Sequence, residues 1–341
     1  MLNFASDNES PVHPKVMASL QKANEGFVKS YGEDEITAKV REQLQTLFGP
    51  EAKSFLSFNG TGGNIIGLQA LAKPYSAIYC SAEAHTLLDE CGAVGKHAGA
   101  QLIGIPCKNG KIDPEQLEQT IRSGRGIHST KPGVLSIAQT TERGTTYSRE
   151  ELNILISIAR ENGLKVHMDG ARLANAAAFM GTRDLKAITA DQGVDVLTFG
   201  GTKNGLMMGE AVVLISPEAA EDFAFVHKQG LQLASKNRYM AAQFEAYLDQ
   251  DLWYENAQTA NRMAQRLWNG LSKISAVELS VPLEGNCLFV KWNQEIHNRL
   301  KGNVRYHYWT PEIFEARLVT SFCTSEAMVD EMIALVSDAA V

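Results

Sequence analysis

The sequence lacks the marks of a membrane, exported or metal-binding protein. No stretch approaches the roughly eighteen consecutive apolar residues of a membrane span. The start, "MLNFASDNES", has neither the basic nor the apolar region of a secretory signal. Only five cysteines occur (Cys80, Cys91, Cys107, Cys287 and Cys323), with no C-x-x-C pair among them. An odd, scattered set fits reduced thiols in a cytoplasmic protein better than disulfides or zinc. Positive charge is not in excess either: 32 Lys and Arg face 39 Asp and Glu, a formal net charge of -7. That balance disfavours nucleic acid as a partner, because phosphate binding needs a basic face. No repeat, low-complexity tract or Pro/Gly/Ser-rich linker divides the 341 residues. A composition 44% apolar and 21% charged is that of a globular protein with a sizeable core.

What is present is a recurring alternation of short apolar runs with helical patterns. The runs are "SFLSF" (54–58), "SAIYC" (76–80), "QLIGI" (101–105), "VLSIA" (134–138), "LKVHM" (164–168), "DVLTFG" (195–200) and "AVVLI" (211–215). Between the first six lie segments long enough for a helix. In "SREELNILISIARENG" (148–163), Leu152, Leu155, Ile156 and Ala159 repeat at helical spacing behind a Ser-x-x-Glu capping box. The alternation predicts an α/β fold with a mainly parallel sheet covered on both faces. The last two runs are too close for a helical crossover, so one strand is expected to be antiparallel. Ligands should gather at the carboxyl ends of the parallel strands.

After about residue 240 the texture changes. "QTANRMAQRLWNGLSKI" reads as an amphipathic helix, followed by strand-like "CLFVKW" (287–292) and "ARLVTSF" (316–322) and a helix beginning near Ser325. The expected division is a large domain over 1–245, with segment 1–30 contributing to its site, and a small α/β domain over 246–341.

Four stretches fall where such a sheet would deliver chemistry. "FNGTGGN" (58–64) opens a helix with glycines, whose free backbone N–H groups can meet a phosphate, and Thr61 adds a hydroxyl. A strand-to-helix turn can need glycine for its dihedrals alone; the segment carries neither a Walker Gly-Lys-Ser/Thr nor a full G-x-G-x-x-G. In "VHMDGAR" (166–172), Asp169 ends a strand and Arg172 follows; a structural Asp–Arg pair is the alternative. In "DVLTFGGTKNGLMMGE" (195–210), Lys203 sits among small residues at a strand end, where desolvation favours a neutral, nucleophilic amine. A surface lysine in a hairpin is the other possibility. In "EARLVTSF", Arg317 lies inside an apolar strand and wants a carboxylate, whether a ligand's or that of Glu315. An anion cradle, a strand-end acid, a desolvated lysine and an arginine together match the needs of pyridoxal phosphate: a phosphate site, an amine for its aldehyde and an acid for its ring nitrogen.

These motifs resemble those of fold-type I pyridoxal-phosphate enzymes, and among them the L-threonine aldolases, closest to the low-specificity and phenylserine aldolase branch. The resemblance runs over essentially the whole chain through "FASDN", "YGEDEIT", "NGTGGN", "AEAHTLLDECGA", "HMDGARLANA", "TKNG" and "RLVTSF". It implies a seven-stranded, fold-type I large domain with a smaller carboxyl-terminal α/β domain. It implies Lys203 as the Schiff-base lysine, Asp169 on the pyridine nitrogen, His85 on the ring face, and Gly60, Thr61 and Gly62 at the phosphate. Arg172 and Arg317 would grip the substrate carboxylate, with Ser6 and Tyr31 beside the substrate.

Two departures stand out. Where many threonine aldolases have a second histidine, this chain has Glu142 in "TTERG"; His85, directly or through water, and Glu142 are then the candidate hydroxyl bases. Where many have an arginine reaching the phosphate, this chain reads "QGLQLASKNR", with Lys236 the candidate replacement. The resemblance further implies a homotetramer, a dimer of dimers with sites at the dimer interface. The implied activity is retro-aldol cleavage of L-threonine, L-allo-threonine or phenylserine to glycine and an aldehyde. Alternatives are β-elimination or transamination on the same cofactor, or a non-catalytic pyridoxal-phosphate-binding protein. No metal site is expected.

Overall fold

A computed structural model describes residues 1–340. All seven apolar runs become strands of one sheet: β1 (Lys53–Ser57), β2 (Ser76–Ser81), β3 (Gln101–Ile105), β4 (Lys131–Ala138), β5 (Lys165–Gly170), β6 (Val196–Gly200) and β7 (Glu210–Leu214). Their spatial order is β1-β7-β6-β5-β4-β2-β3. β7 alone runs antiparallel, paired to β1 on one side and β6 on the other. The short link from β6 to β7 forces this reversal, as anticipated, and places residues 201–209 at the sheet's carboxyl edge.

Both faces of the sheet are buried, which is why the central strands read as unbroken apolar runs. On one face Val196, Val212 and Leu214 pack with Ile66 of helix α3 (Gly60–Leu71). On the other, Leu135, Val166, Met168, Leu197 and Phe199 join Leu152, Leu155 and Ile156 of α4 (Arg149–Glu161). That helix starts at the expected capping box: Ser148 Oγ accepts from Glu151 N while Glu151 caps Ser148 N. Helices α1 (Pro14–Ala23) and α2 (Glu35–Phe48) precede β1 and pack on α6 (Arg238–Leu248), whereas the short α5 (Leu173–Phe179) follows β5.

Where β5 and β6 end, the two backbones nearly touch. A Cβ on Gly200 would lie 2.3 Å from the carbonyl oxygen of Ala171. Only glycine lets the strand that precedes the lysine turn come that close to the strand that ends in Asp169.

The remaining chain forms a second layer. Strands β8 (Glu278–Leu279), β9 (Cys287–Lys291), β10 (His307–Thr310) and β11 (Glu315–Val319) make an antiparallel sheet in the order β8-β9-β11-β10. It is covered by α7 (Leu252–Leu271) and α8 (Glu326–Ala339), the latter capped by Ser325 as the sequence suggests. The apolar cores divide inside α7. Trp253, Tyr254 and Ala257 belong to the large core, while Met263, Leu267 and Leu271 belong to the small one. Leu2 and Phe4 also join the small core, and Leu2–Asn3 pairs in parallel with Val304–Arg305. The start of the chain therefore anchors in the carboxyl-terminal unit before reaching the site, although the sequence suggests it belongs with the large domain. Among the described residues no helix is long and apolar enough to cross a membrane.

Candidate active site

A cleft at the carboxyl ends of β4, β5 and β6 collects most of the expected residues. Gly60, Thr61, Asn64, His85, Glu90, Glu142, Asp169, Arg172 and Lys203 line it together. Among the described residues no group of three or more His, Cys, Asp or Glu is placed to hold a metal.

Lys203 lies in a single helical turn, Thr202–Asn204, that is fixed from three sides. Asn204 Nδ2 donates to Tyr247 Oη at 2.8 Å and to the Trp253 carbonyl at 2.7 Å. Asn256 Nδ2 donates to the Asn204 carbonyl at 2.9 Å. Beneath the turn, Gly201 N donates to Glu210 Oε2 at 2.7 Å. Glu210 is buried, and desolvation pushes its pKa up to about 7 despite the bonds from Thr202 and Gly201 and the nearby Lys203 charge. The lysine is thus a presented side chain on a braced turn, not a loose hairpin residue.

Asp169 ends β5. Its Oδ2 accepts from Asn64 Nδ2 at 2.7 Å and its Oδ1 from Ala171 N at 2.9 Å. Below it, His167 is fully buried against Ser136 Oγ (2.9 Å), and desolvation lowers its pKa to about 4, so it is a neutral packing group.

The anion turn is narrower than the sequence suggests. Asn59 caps α3: its Oδ1 accepts from Gly62 N at 2.7 Å, and its carbonyl accepts from Gly63 N at 3.0 Å. Gly62 therefore has no N–H to offer a ligand. Its missing Cβ instead admits Gln232, whose amide would lie 2.6 Å from it. Gly60 and Thr61 keep unengaged amides at the helix start, where anions are favoured. Capping and ligand binding draw on the same glycines, so sequence cannot separate them.

His85 opens a four-residue helix, His85–Leu88. Its backbone N donates to Glu142 Oε1 at 2.9 Å, and its Nδ1 meets Glu90 Oε1 at 2.9 Å. Glu142 Oε2 is sealed from solvent without a partner, and desolvation raises its pKa to about 7. The loop bearing Glu142 is clamped to the carboxyl-terminal antiparallel sheet. Arg143 donates to both oxygens of Glu315, at 3.0 and 2.7 Å, and its guanidinium lies 4.3 Å from the Phe289 ring centre. Glu315 is thereby taken, and Arg317 has no ion-pair partner among the described residues. The Arg317 Nε is buried without a hydrogen bond, and its guanidinium lies 4.6 Å from the Trp309 ring centre.

Arg172 is engaged more tightly than expected. Its Nε and Nη2 donate to the two oxygens of Asp7 at 2.7 and 2.8 Å, and Asn286 Nδ2 adds a third bond to Asp7 at 3.0 Å. Burial works to raise the Asp7 pKa, but Arg172 overrides it and holds it below the usual carboxylate range. Ser6, beside Asp7, spends its hydroxyl oxygen on Asn8 N. Five expected residues, Gly62, Ser6, Tyr31, Lys236 and Arg317, are not among those that line the cleft. Tyr31 is exposed, with the Lys228 ammonium 4.8 Å from its ring centre and its N bonded to the Ser235 carbonyl; Lys236 is exposed next to Ser235. The two are near each other, but one chain does not bring them to Lys203.

Asn64, Glu90, Asp7, Asn286 and Glu210 were not singled out from the sequence. All but Asn286 stand inside motifs that were, but nothing local marks a buried carboxylate five residues after a histidine.

Such a cleft, at the carboxyl edge of a mainly parallel sheet with a braced lysine turn facing a strand-end aspartate, defines an α/β enzyme of the fold-type I class. A model described as beta-eliminating lyase matches residues 3–292. Over 332 residues, 97% of this chain and 96% of the relative, the sequence is 37% identical to a low specificity L-threonine aldolase of a Pseudomonas species. Its counterpart in Pseudomonas aeruginosa is also 37% identical, over 96% of this chain and 95% of its own. A solved structure of Leishmania major threonine aldolase superposes with a TM-score of 0.95 at 26% identity, covering 100% of both chains. The chain belongs to the beta-eliminating lyase family, within its L-threonine aldolase branch.

Proposed function

We propose that this chain is a pyridoxal-phosphate-dependent lyase that splits L-threonine and related L-β-hydroxy-α-amino acids, such as L-allo-threonine and phenylserine, into glycine and an aldehyde. The observation that carries the reading is one cleft holding Lys203, Asp169 and the open start of α3 together with two proton-transfer groups, His85 and Glu142. The residues fit the cofactor: Gly60 has nothing within 4 Å of its missing Cβ, and the buried Asn64 Oδ1 and Glu142 Oε2 lack partners. When bound, pyridoxal phosphate supplies an aldehyde for amine exchange and a protonated ring that takes up the electron pair left when Cα–Cβ breaks.

The chain's own groups do the rest. Lys203 would provide the anchoring ε-amine, and the free amides of Gly60 and Thr61 would hold the phosphate. Asp169, oriented by Asn64 and Ala171 N, supplies the negative charge that keeps the ring nitrogen protonated. His85, which lines the same cleft, would contact the cofactor ring. Arg317, with a buried unpaired Nε, takes the substrate carboxylate, and Arg172 adds charge while Asp7 holds its fork. His85 accepts the β-hydroxyl proton, so the carbonyl of the leaving aldehyde can form. A second reading gives that proton to Glu142, whose free Oε2 and pKa near 7 suit a base at neutral pH.

Cysteine usage and relatedness to bacterial aldolases support a cytoplasmic enzyme. A second copy of the chain would bring Tyr31 and Lys236 to a neighbouring cleft, in a homotetramer built from dimers. The test is aldehyde release by the cofactor-loaded protein from L-threonine, L-allo-threonine and L-threo-phenylserine, beside Lys203→Ala, His85→Asn and Glu142→Gln. Release that requires Lys203 supports the reading. A cofactor-loaded protein that cleaves none of the three overturns it, and the larger loss between the other two variants identifies the base.

A further inference from the structure

Glu90 is the most enclosed acid of the cleft and has no part in the reaction as described. Its side chain is 0% exposed, whereas that of the adjoining His85 is 43% exposed. One oxygen, Oε1, takes two bonds: His85 Nδ1 at 2.9 Å and Asn64 Nδ2 at 3.1 Å. The same Asn64 nitrogen reaches Asp169 Oδ2 at 2.7 Å, so its two hydrogens serve two carboxylates. Both neighbours of that amide are acceptors, which fixes which end of Asn64 is the nitrogen. The result is a chain running Asp169, Asn64, Glu90, His85, buried at its two middle members.

An ionised carboxylate can only accept. Facing an ionised Glu90, His85 Nδ1 carries the hydrogen, and in the neutral ring Nε2 is left with the lone pair. We propose that Glu90 is a positioning residue, tied through Asn64 to Asp169, that fixes the His85 tautomer and leaves Nε2 as the free proton acceptor in the cleft. What Nε2 then accepts rests on the retro-aldol reading; the tautomer does not.

The charged groups around His85 are Glu90, Lys203, Asp169 and Glu142, whose carboxylate holds the His85 backbone N. The bond from Glu90 is the largest influence and raises the His85 pKa, against burial and the Lys203 charge. A base held this way is more basic and correctly turned, as an orienting acid does for histidine in other proton-transfer sites.

The test is nitrogen NMR of protein labelled at its eight histidines, cofactor-free and cofactor-loaded, with His85→Asn identifying the His85 signals. In the parent protein, neutral His85 should be protonated at Nδ1. Glu90→Gln preserves an acceptor of the same shape without the charge. It should keep that tautomer while the His85 pKa falls by about one unit or more. The acidic limb of kcat/KM should move down in step, with KM changed by no more than about twofold. Glu90→Ala should release the tautomer, and Glu90→Gln keeps the test readable where that variant fails to fold. An Nε2-protonated ring in the parent, or an unmoved pKa in Glu90→Gln, overturns the proposal. The expected NMR pattern with no aldehyde release would overturn the lyase reading and leave the positioning role standing.

Discussion

Arg172 and Asp7 meet through two parallel bonds, 2.7 and 2.8 Å long, with the Asp7 side chain 1% and the Arg172 side chain 15% exposed. The pair joins the amino-terminal segment to the turn that follows Asp169. Removing one member of a buried pair leaves the other charged and unpaired, which costs about 3 kcal/mol or more. Asp7→Asn should therefore lower the urea midpoint of the protein and raise KM for the amino acid. A midpoint and KM unchanged from the parent would mean that the pair does not hold the arginine.

Glu210 gives stability a pH dependence of definite sign. Its folded pKa, about 7, lies above its ordinary value of 4.5. Between those values the folded state keeps a proton that the unfolded state has released, so stability falls as pH rises through that window. The contribution is of order 3 kcal/mol, at about 1.4 kcal/mol per unit. Glu210→Gln removes this term. Its stability relative to the parent should improve from pH 5 to pH 8, measured by denaturant melts, and a constant difference would rule the argument out.

The two glycines at the cleft should respond differently to one added methyl. Nothing lies within 4 Å of a Cβ at Gly60, while one at Gly200 would meet the Ala171 carbonyl oxygen at 2.3 Å. Gly60→Ala should melt like the parent but bind pyridoxal phosphate on the order of tenfold more weakly, because the methyl enters the anion turn. Gly200→Ala should instead lose stability, with the lysine turn displaced. Thermal melts and cofactor titration separate the two outcomes.

Asp169→Asn keeps the size of the residue that ends β5 but removes its charge and leaves one acceptor oxygen for two donors, Asn64 Nδ2 and Ala171 N. Cofactor should still bind at Lys203, and kcat should drop on the order of 10²-fold or more, the usual scale for losing a preorganised electrostatic partner. Aldehyde release beside a cofactor absorbance titration checks both halves.

The sheet was legible in the sequence because strands buried on both faces are continuous apolar runs, and the one antiparallel strand followed from a link too short for a crossover. Lys203 and Asp169 were legible for a related reason: strand ends at one edge of such a sheet converge. What was hidden depends on distant pairing. Asp7 meets Asn286 across 279 positions and Asn64 meets Asp169 across 105, and neither relation leaves a local trace. At Gly62 an amide used by a cap looks, in sequence, like one offered to a ligand.

The pairing of Leu2 with Val304, and the burial of Phe4 in the carboxyl-terminal core, bear on how the molecule is made. A ribosome delivers these first residues long before their partners. The segment carrying Ser6 and Asp7 gains the strand pairing and the core that anchor it only once residues 286–304 have been made. The large sheet, whose last strand ends at Leu214, can form before that anchoring, so a chain cut before residue 286 keeps Lys203 but lacks Asn286 and the Val304 pairing that hold the Asp7 segment in place.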